Sequence, residues 1–343
     1  MANRARRIVT STLVVLAIFL AAQAVSAQSY DVTDVGTLPG GDSSVVFGIN
    51  ASGEVVGTST LPGNAYGHAF SYTNGTMTDL GTIGGDWSTA FQVNVNGQVT
   101  GYAPRADQSQ RGFLFSNGAM KALPTLGGGF SDAYAINDLG EVVGASGTAN
   151  GDTHPFLFSK GKMTDLGTLG SHGSAFWNVG LGINHSGVVV GYSYDATDNF
   201  FGFVWAKGKM TKLGTLGGLW SQANAINNKN QITGAAYTAN GSSHAFLWQQ
   251  GKMKDLGTIK GFYSWGFAIN NAGTVVGQSN FDATNNTHAF IYTTGPMQDL
   301  NDMIPANSGW VLEVAEGIND AGQISGYGTH NGLQRGFLLT PRK

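Results

Sequence analysis

From Gln28 onward the apolar residues of this chain fall in short runs, and Gly, Asn, Asp or Ser closes nearly every run. No stretch sustains the 3.6-residue spacing of an amphipathic helix. Short apolar runs with turn residues between them predict many β-strands joined by tight turns. Two of the runs return again and again. "HAFSYTNGTMTDLGTIGG" at 68–85 and "HAFLWQQGKMKDLGTIKG" at 244–261 agree at eleven of 18 positions. Between copies of that phrase lies a second one, seen as "FGINASGEVVGTS" at 47–59 and "AINNAGTVVGQS" at 268–279.

Each phrase occurs seven times. The second is marked by Asn50, Asn94, Asn137, Asn184, Asn227, Asn270 and Asn319, spaced 43 to 49 residues apart. The first is centred on Phe70, Phe113, Phe156, Phe203, Phe246, Phe290 and Phe337. A period in that range belongs to solenoids and propellers. One unit holds four short strands. Strand a ends in Ala-Ile-Asn, strand b carries Val-Val-Gly, strand c reads Ala-Phe-Leu-Trp or similar, and strand d reads Met-x-Asp-Leu-Gly-Thr. Four antiparallel strands make one propeller blade. Strands b and c are almost continuously apolar, as expected of sheets covered on both faces by neighbours.

The two ends choose between an open array and a closed ring. The seventh unit has strands a to c and then stops, whereas "YDVTDVGTLPGG" near the start is a strand d with no partners of its own. The fold class expected is therefore all-β: a seven-bladed propeller of four-stranded antiparallel blades, with residues 30–38 completing the last blade. Closure hides sheet edges that an open array would expose.

Composition fits this reading and adds a destination. The 52 Gly and the low charged fraction suit a turn-rich β protein. Residues 1–27 read as a signal peptide, with Arg4, Arg6 and Arg7 ahead of an apolar run and Val25-Ser26-Ala27 as the cleavage site. Residues 28–343 then form a single propeller domain, secreted or periplasmic, with no membrane insertion after cleavage. Without the leader's three Arg, the 18 Lys and Arg fall to 15 against 21 Asp and Glu, a net charge of −6. That excess of acid argues against nucleic acid as a partner. The chain has no Cys, so disulfides and thiolate chemistry are excluded.

The phrases "HAFLWQQGKMKDLGTI" and "AINNAGTVVGQS" resemble the HAF family of bacterial extracellular repeat proteins, over essentially all of residues 30–340. The resemblance implies export and a repetitive β fold, and carries no chemistry with it. Departures are Arg111, Phe201 and Arg335 near the His position, and "DLNDMIPANSGW" at 299–310.

In a four-strand blade the a–b and c–d turns share one face, and the b–c and d–a connections share the other. The first kind are short and uniform here, and read as scaffold. The second kind differ from blade to blade and carry aromatics: Trp87, Phe130, Phe176 with Trp177, Trp220, Phe262 with Tyr263 and Trp265, and Trp310. Variable loops on a rigid frame are where binding surfaces are usually built. Trp87, Phe130, Trp177, Trp220, Tyr263, Trp265 and Trp310 are thus candidate binding residues, to be weighed against a packing role between blades.

Catalysis finds less support. His68, His154, His244 and His288 recur at the start of strand c, roughly 15–20 Å from the axis for strands about 4.8 Å apart. They are too dispersed to converge on zinc, whose ligands lie within about 2.1 Å, and a hydrogen bond inside each blade is expected instead. Asp34, Asp79, Asp165, Asp255 and Asp299 lie on the outermost strand, where a turn or cap role fits. Asp195 and Asp198, with Asp282 in a similar loop, are weak candidates for Ca²⁺ as the one cofactor to consider, since neither loop has EF-hand spacing. Asp86, Asp132, Arg105, His172 and His330 could also reach the variable face. Strand a, nearest the axis, reads as small and neutral. These features favour a binding or scaffold module for a glycan or protein. A polysaccharide lyase or hydrolase and a purely structural surface component are the alternatives.

Overall fold

A computed structural model describes residues 28–63, 66–170, 177–281 and 286–342. The signal-peptide reading falls on residues 1–27, outside the described residues. The described residues form seven four-stranded antiparallel sheets arranged as a seven-bladed β-propeller. Blade 1 has strands a to d at Ser44–Ile49, Val55–Thr60, Gly67–Thr73 and Thr76–Gly81. Blades 2 to 6 follow at 89–122, 127–165, 179–212, 217–255 and 264–299.

Blade 7 is closed from both ends of the chain. Its strands a to c are Trp310–Ile318, Ile324–His330 and Leu333–Pro341, and its strand d is Tyr30–Asp34. The pairing is antiparallel, from Tyr30 opposite Pro341 to Asp34 opposite Phe337. Tyr30, Val35 and Leu38 are all buried, so this strand is anchored by its core face as well as by its ladder.

The repeated Phe and the repeated Gly are two halves of one contact. Each of the seven Phe is fully buried at the middle of strand c. Each lies opposite the Gly of Val-Val-Gly on strand b, as Phe156 does opposite Gly144. That Gly has no room for a side chain. A Cβ on Gly144 would stand 1.8 Å from the Asp132 carbonyl oxygen of strand a and 2.9 Å from the Phe156 ring. Small on b and large on c is how each blade fills its middle.

Strand a carries a β-bulge in every blade. In each blade the ladder skips the residue three positions before the repeated Asn: Phe47, Phe91, Tyr134, Leu181, Asn224, Phe267 and Glu316. A bulge bends its strand and re-aims one side chain. Here all seven re-aimed side chains line a cavity on the propeller axis.

Candidate functional site

The axis is built from the ends of the seven strands a. At the a–b turns the repeated Asn residues, all buried, form a ring of hydrogen bonds from blade to blade. Asn50 Nδ2 donates to the Asn94 carbonyl at 3.1 Å, Asn94 to that of Asn137 at 3.1 Å, and Asn137 to that of Asn184 at 3.1 Å. The series continues through Asn184, Asn227 and Asn270, and Asn319 closes it on the Asn50 carbonyl at 3.1 Å. Each Asn Oδ1 meanwhile caps its own turn, as when that of Asn50 accepts the Ser52 and Glu54 amides at 3.0 Å. The sequence shows the Asn recurring but not the inter-blade bond that requires it.

Next along the axis comes a waist of Ile49, Val93, Ile136, Ile183, Ile226, Ile269 and Ile318. Beyond it, towards the variable face, lies an axial cavity of about 340 Å³. Phe47, Phe91, Tyr134 and Phe267 give it aromatic walls, and Glu316 brings the one carboxyl that lines it. Phe91 sits 5.0 Å from Phe47 and 5.2 Å from Tyr134, centroid to centroid. Burial pushes the Glu316 carboxyl up to about 8. Sequence reasoning described strand a as small and neutral; the bulged position, and with it Glu316, was overlooked.

A second carboxyl with a raised pKa lies on strand a of blade 3. Asp132 is buried, and burial pushes it up to about 6 although Gln110 Nε2 donates to it at 2.6 Å. It is turned towards blade 2 and does not line the axial cavity. Among the described residues no second acid joins Glu316 there, and no group of His, Asp and Glu side chains is placed to hold a metal ion.

The His residues of strand c behave as expected. His68, His154, His244 and His288 bond through Nδ1 to Asp79, Asp165, Asp255 and Asp299 of the same blade, at 3.0, 2.8, 2.9 and 2.6 Å. The Asp also accepts the amide two residues on, as Asp165 does from Gly167 at 2.7 Å where strand d of blade 3 ends. In blade 7 the imidazole comes from His330, at the end of strand b, and meets Asp34 at 2.7 Å, tying the two chain ends together. Where Phe201 replaces the His in blade 4, Lys212 takes the Asp position, opposite Phe203, and its Nζ lies 3.0 Å from the Phe201 ring centroid. An ion pair has been exchanged for a cation–π contact.

The Asp195 loop uses its carboxylate internally. The Thr197 hydroxyl and amide donate at 2.7 and 2.9 Å, and Lys212 Nζ approaches at 3.1 Å. These bonds, that from the Thr197 hydroxyl first, hold Asp195 down to about 2. The lysine stands where a divalent cation would need an open oxygen. Asp198 is exposed with φ +62°, a turn position. Asp282 lies outside the described residues, as do His172 and Phe176.

The candidate aromatics divide into groups. Trp220, Tyr263 and Trp265 come together between blades 5 and 6, with Trp220 5.5 Å from Trp265 and 4.5 Å from Tyr237. With Phe262, Asn240, Ser242 and Ser243 they line a cleft of about 410 Å³ on the variable face. Phe262 is 53% exposed there, and the Ser243 hydroxyl is buried with no partner among the described residues. Phe130 and Trp177 stack at 4.9 Å between blades 3 and 4, and Trp177 stays 40% exposed. Trp87 packs its edge on Tyr102. Trp310 is buried in blade 7, parallel to the His330 ring at 4.5 Å.

No protein-family model and no curated protein matches the chain. Solved structures do. A puromycin-hydrolysing peptidase from Mycobacterium tuberculosis is similar at 13% identity and TM-score 0.54, over 87% of this chain and 50% of that one. TolB from Acinetobacter baumannii is similar at 11% identity and TM-score 0.43, over 72% of this chain and 64% of that one. The BP39L lectin from Burkholderia pseudomallei is similar at 8% identity and TM-score 0.48, over 91% and 96%. The chain thus spans half the length of the peptidase and just under two thirds of TolB. The likeness is one of fold alone. Among the described residues, no helix is long and apolar enough to cross a membrane.

Proposed function

We propose that this chain is an exported HAF-type repeat propeller that binds a glycan in the aromatic cleft between blades 5 and 6. The observation that carries the reading is the composition of that cleft. Trp220, Tyr237, Tyr263, Trp265 and the exposed Phe262 offer ring faces, while Asn240, Ser242 and Ser243 offer polar groups beside them. A sugar presents the same mixture, with an apolar C–H face for stacking and hydroxyls at its edge. The unpartnered Ser243 hydroxyl is a buried polar group for which a ligand hydroxyl would supply the missing bond. A hydrolase or lyase reading has less behind it, since catalysis on a glycosidic bond calls for two acid/base groups around one bond. The cleft lining holds no carboxyl.

The test is a glycan array and polysaccharide pull-down with residues 28–343. Wild type is expected to retain a defined glycan without generating new reducing or unsaturated ends. Phe262→Ala and Trp265→Leu should each weaken retention about tenfold, the size of one lost aromatic contact of about 1–1.5 kcal/mol. Retention unchanged in both variants would remove the cleft from the reading, and new chain ends would replace binding with catalysis.

A further inference from the structure

The seven bulged residues follow one another round the axis in blade order, Phe267, Glu316, Phe47, Phe91, Tyr134, Leu181 and Asn224, so that Glu316 stands between two phenylalanines. We propose that the axial cavity is a binding site for a quaternary ammonium group, held by the Glu316 carboxylate between the rings of Phe267 and Phe47. The site is separate from the cleft between blades 5 and 6.

Charge selects the sign of the ligand. No Lys, Arg or His lines the cavity, and its one ionisable acid makes no hydrogen bond or ion pair with a described residue. Glu316 is half-buried, and a carboxyl turned from bulk water into a cavity without a partner is either protonated or waiting for a counter-charge. The aromatic walls favour the same sign, because ring faces are the negative ends of their quadrupoles and attract a cation lying over them.

Hydrogen bonding then selects the kind of cation. A primary ammonium brings three N–H donors that must all find acceptors in the cavity. Two of the neutral side-chain acceptors are already engaged, which leaves Gln222 Oε1 and the Tyr134 hydroxyl beside Glu316. Asn224 Oδ1 already accepts from Gln222 Nε2 at 2.8 Å, and Gln92 Oε1 from the Val93 amide at 3.0 Å. A fully methylated ammonium has no donors to satisfy and an apolar shell that suits Phe, Leu and Ile walls. A cavity of about 340 Å³ accommodates such a headgroup with a short substituent.

Protonation makes the site gated. With its carboxyl raised to about 8 by burial, Glu316 is mostly neutral at pH 7 and must release a proton as the cation enters. The other groups facing it are Tyr134 on the cavity wall and Tyr327 on strand b of its own blade, with Glu313 also close to Tyr327. Burial pushes both phenols up, to about 12 for Tyr327, so neither titrates near neutral pH. Asp132, at about 6, is already ionised at pH 7.

Titration calorimetry with choline, and with 3,3-dimethyl-1-butanol as its uncharged carbon counterpart, tests the proposal on residues 28–343. Choline is expected to bind at least about tenfold tighter than the alcohol, the scale of a desolvated cation–π site. Binding should tighten from pH 6.5 to 8.5, with proton uptake by the buffer. Glu316→Gln should abolish the preference for choline while leaving glycan retention unchanged. Phe47→Leu and Phe267→Leu, which keep an apolar wall, should weaken choline several-fold and leave the alcohol unaffected; they report on the site even if the Glu316 variant folds poorly. Equal affinity for the two probes, choline binding that survives Glu316→Gln, or no heat from either at millimolar concentration would overturn it.

Discussion

Asn137→Ala is the perturbation that most directly tests how the ring is held. The side chain is buried, and its two ends make four hydrogen bonds. Oδ1 accepts the Leu139 amide at 3.1 Å and the Glu141 amide at 3.0 Å. Nδ2 donates to the Asn184 carbonyl of the next blade at 3.1 Å and to Glu141 Oε2 at 2.8 Å. Glu141 is half-buried and can recover water, so its bond is discounted. Three bonds at about 1 kcal/mol each put the loss near 3 kcal/mol, with the abandoned buried carbonyl adding to it rather than subtracting. Against a domain stability of about 5–15 kcal/mol that is large. Urea unfolding followed by tryptophan fluorescence should show a lower midpoint with an unchanged m-value. Asn137→Asp separates the two roles, since it keeps both turn bonds but points an acceptor at the Asn184 carbonyl. It should cost at least as much as Ala. A loss under about 1 kcal/mol for Asn137→Ala would refute the ring as a stabilising element.

Three further outcomes follow from the geometry. Deleting Tyr30–Leu38 removes strand d of blade 7 and the buried Tyr30, Val35 and Leu38; cooperative unfolding should disappear, and a truncated protein melting at the wild-type temperature would contradict closure. The His154–Asp165 pair should make stability depend on pH in both directions. The hydrogen bond to Asp165 raises His154, outweighing burial, so that contribution is complete below the unfolded value of about 6.5 and is lost as pH rises through the folded one. Burial pushes Asp165 up, but bonds from His154 and the Gly167 amide outweigh it and hold it low, so its contribution is lost as pH falls below about 3.8. The stability gap between wild type and His154→Phe, from urea melts across pH, should therefore be widest near pH 5–6 and narrow by pH 9. A double-mutant cycle on Phe201→Ala and Lys212→Ala should return a coupling of about 0.5–1 kcal/mol, the value of an exposed cation–π contact; zero coupling would make the paired exchange in blade 4 incidental.

Architecture was legible in the sequence because it is written in the positions that do not change. Phe and Gly at the centres of strands c and b must recur, since one is large only where the other is absent. The Asn of strand a must recur because each one depends on the carbonyl of the next. The unpaired strand d at the start could be matched to the blade lacking one by counting alone. The pairing of Phe201 with Lys212 was harder to see, because strand register decides which residues meet. Among the seven candidate aromatics, type and loop position said nothing of burial. Trp310 and Trp177 look alike in the sequence, yet one is sealed under His330 and the other is open to solvent.

The site on the axis was hidden by the same logic that revealed the fold. Reading for what repeats makes strand a look like Ala-Ile-Asn, and the residue two places before that Ile counts as noise. A bulge has no residue signature of its own; it is a property of the ladder. Yet that position varies from blade to blade: Phe, Phe, Tyr, Leu, Asn, Phe and Glu in turn. Within the scaffold the Phe of strand c, the Gly of strand b and the Asn of strand a are each constrained by a partner in their own or the next blade, so their residue types are fixed. A position aimed into an open cavity has no such partner and is free to vary. Variation alone does not mark such a site, since buried Asp132 lies at an equally variable position and bonds to Gln110 of blade 2; variation together with a side chain aimed into an open cavity does. By that criterion the bulge ring stands beside the b–c loops as the second variable surface of this propeller, and Glu316 is its one charge.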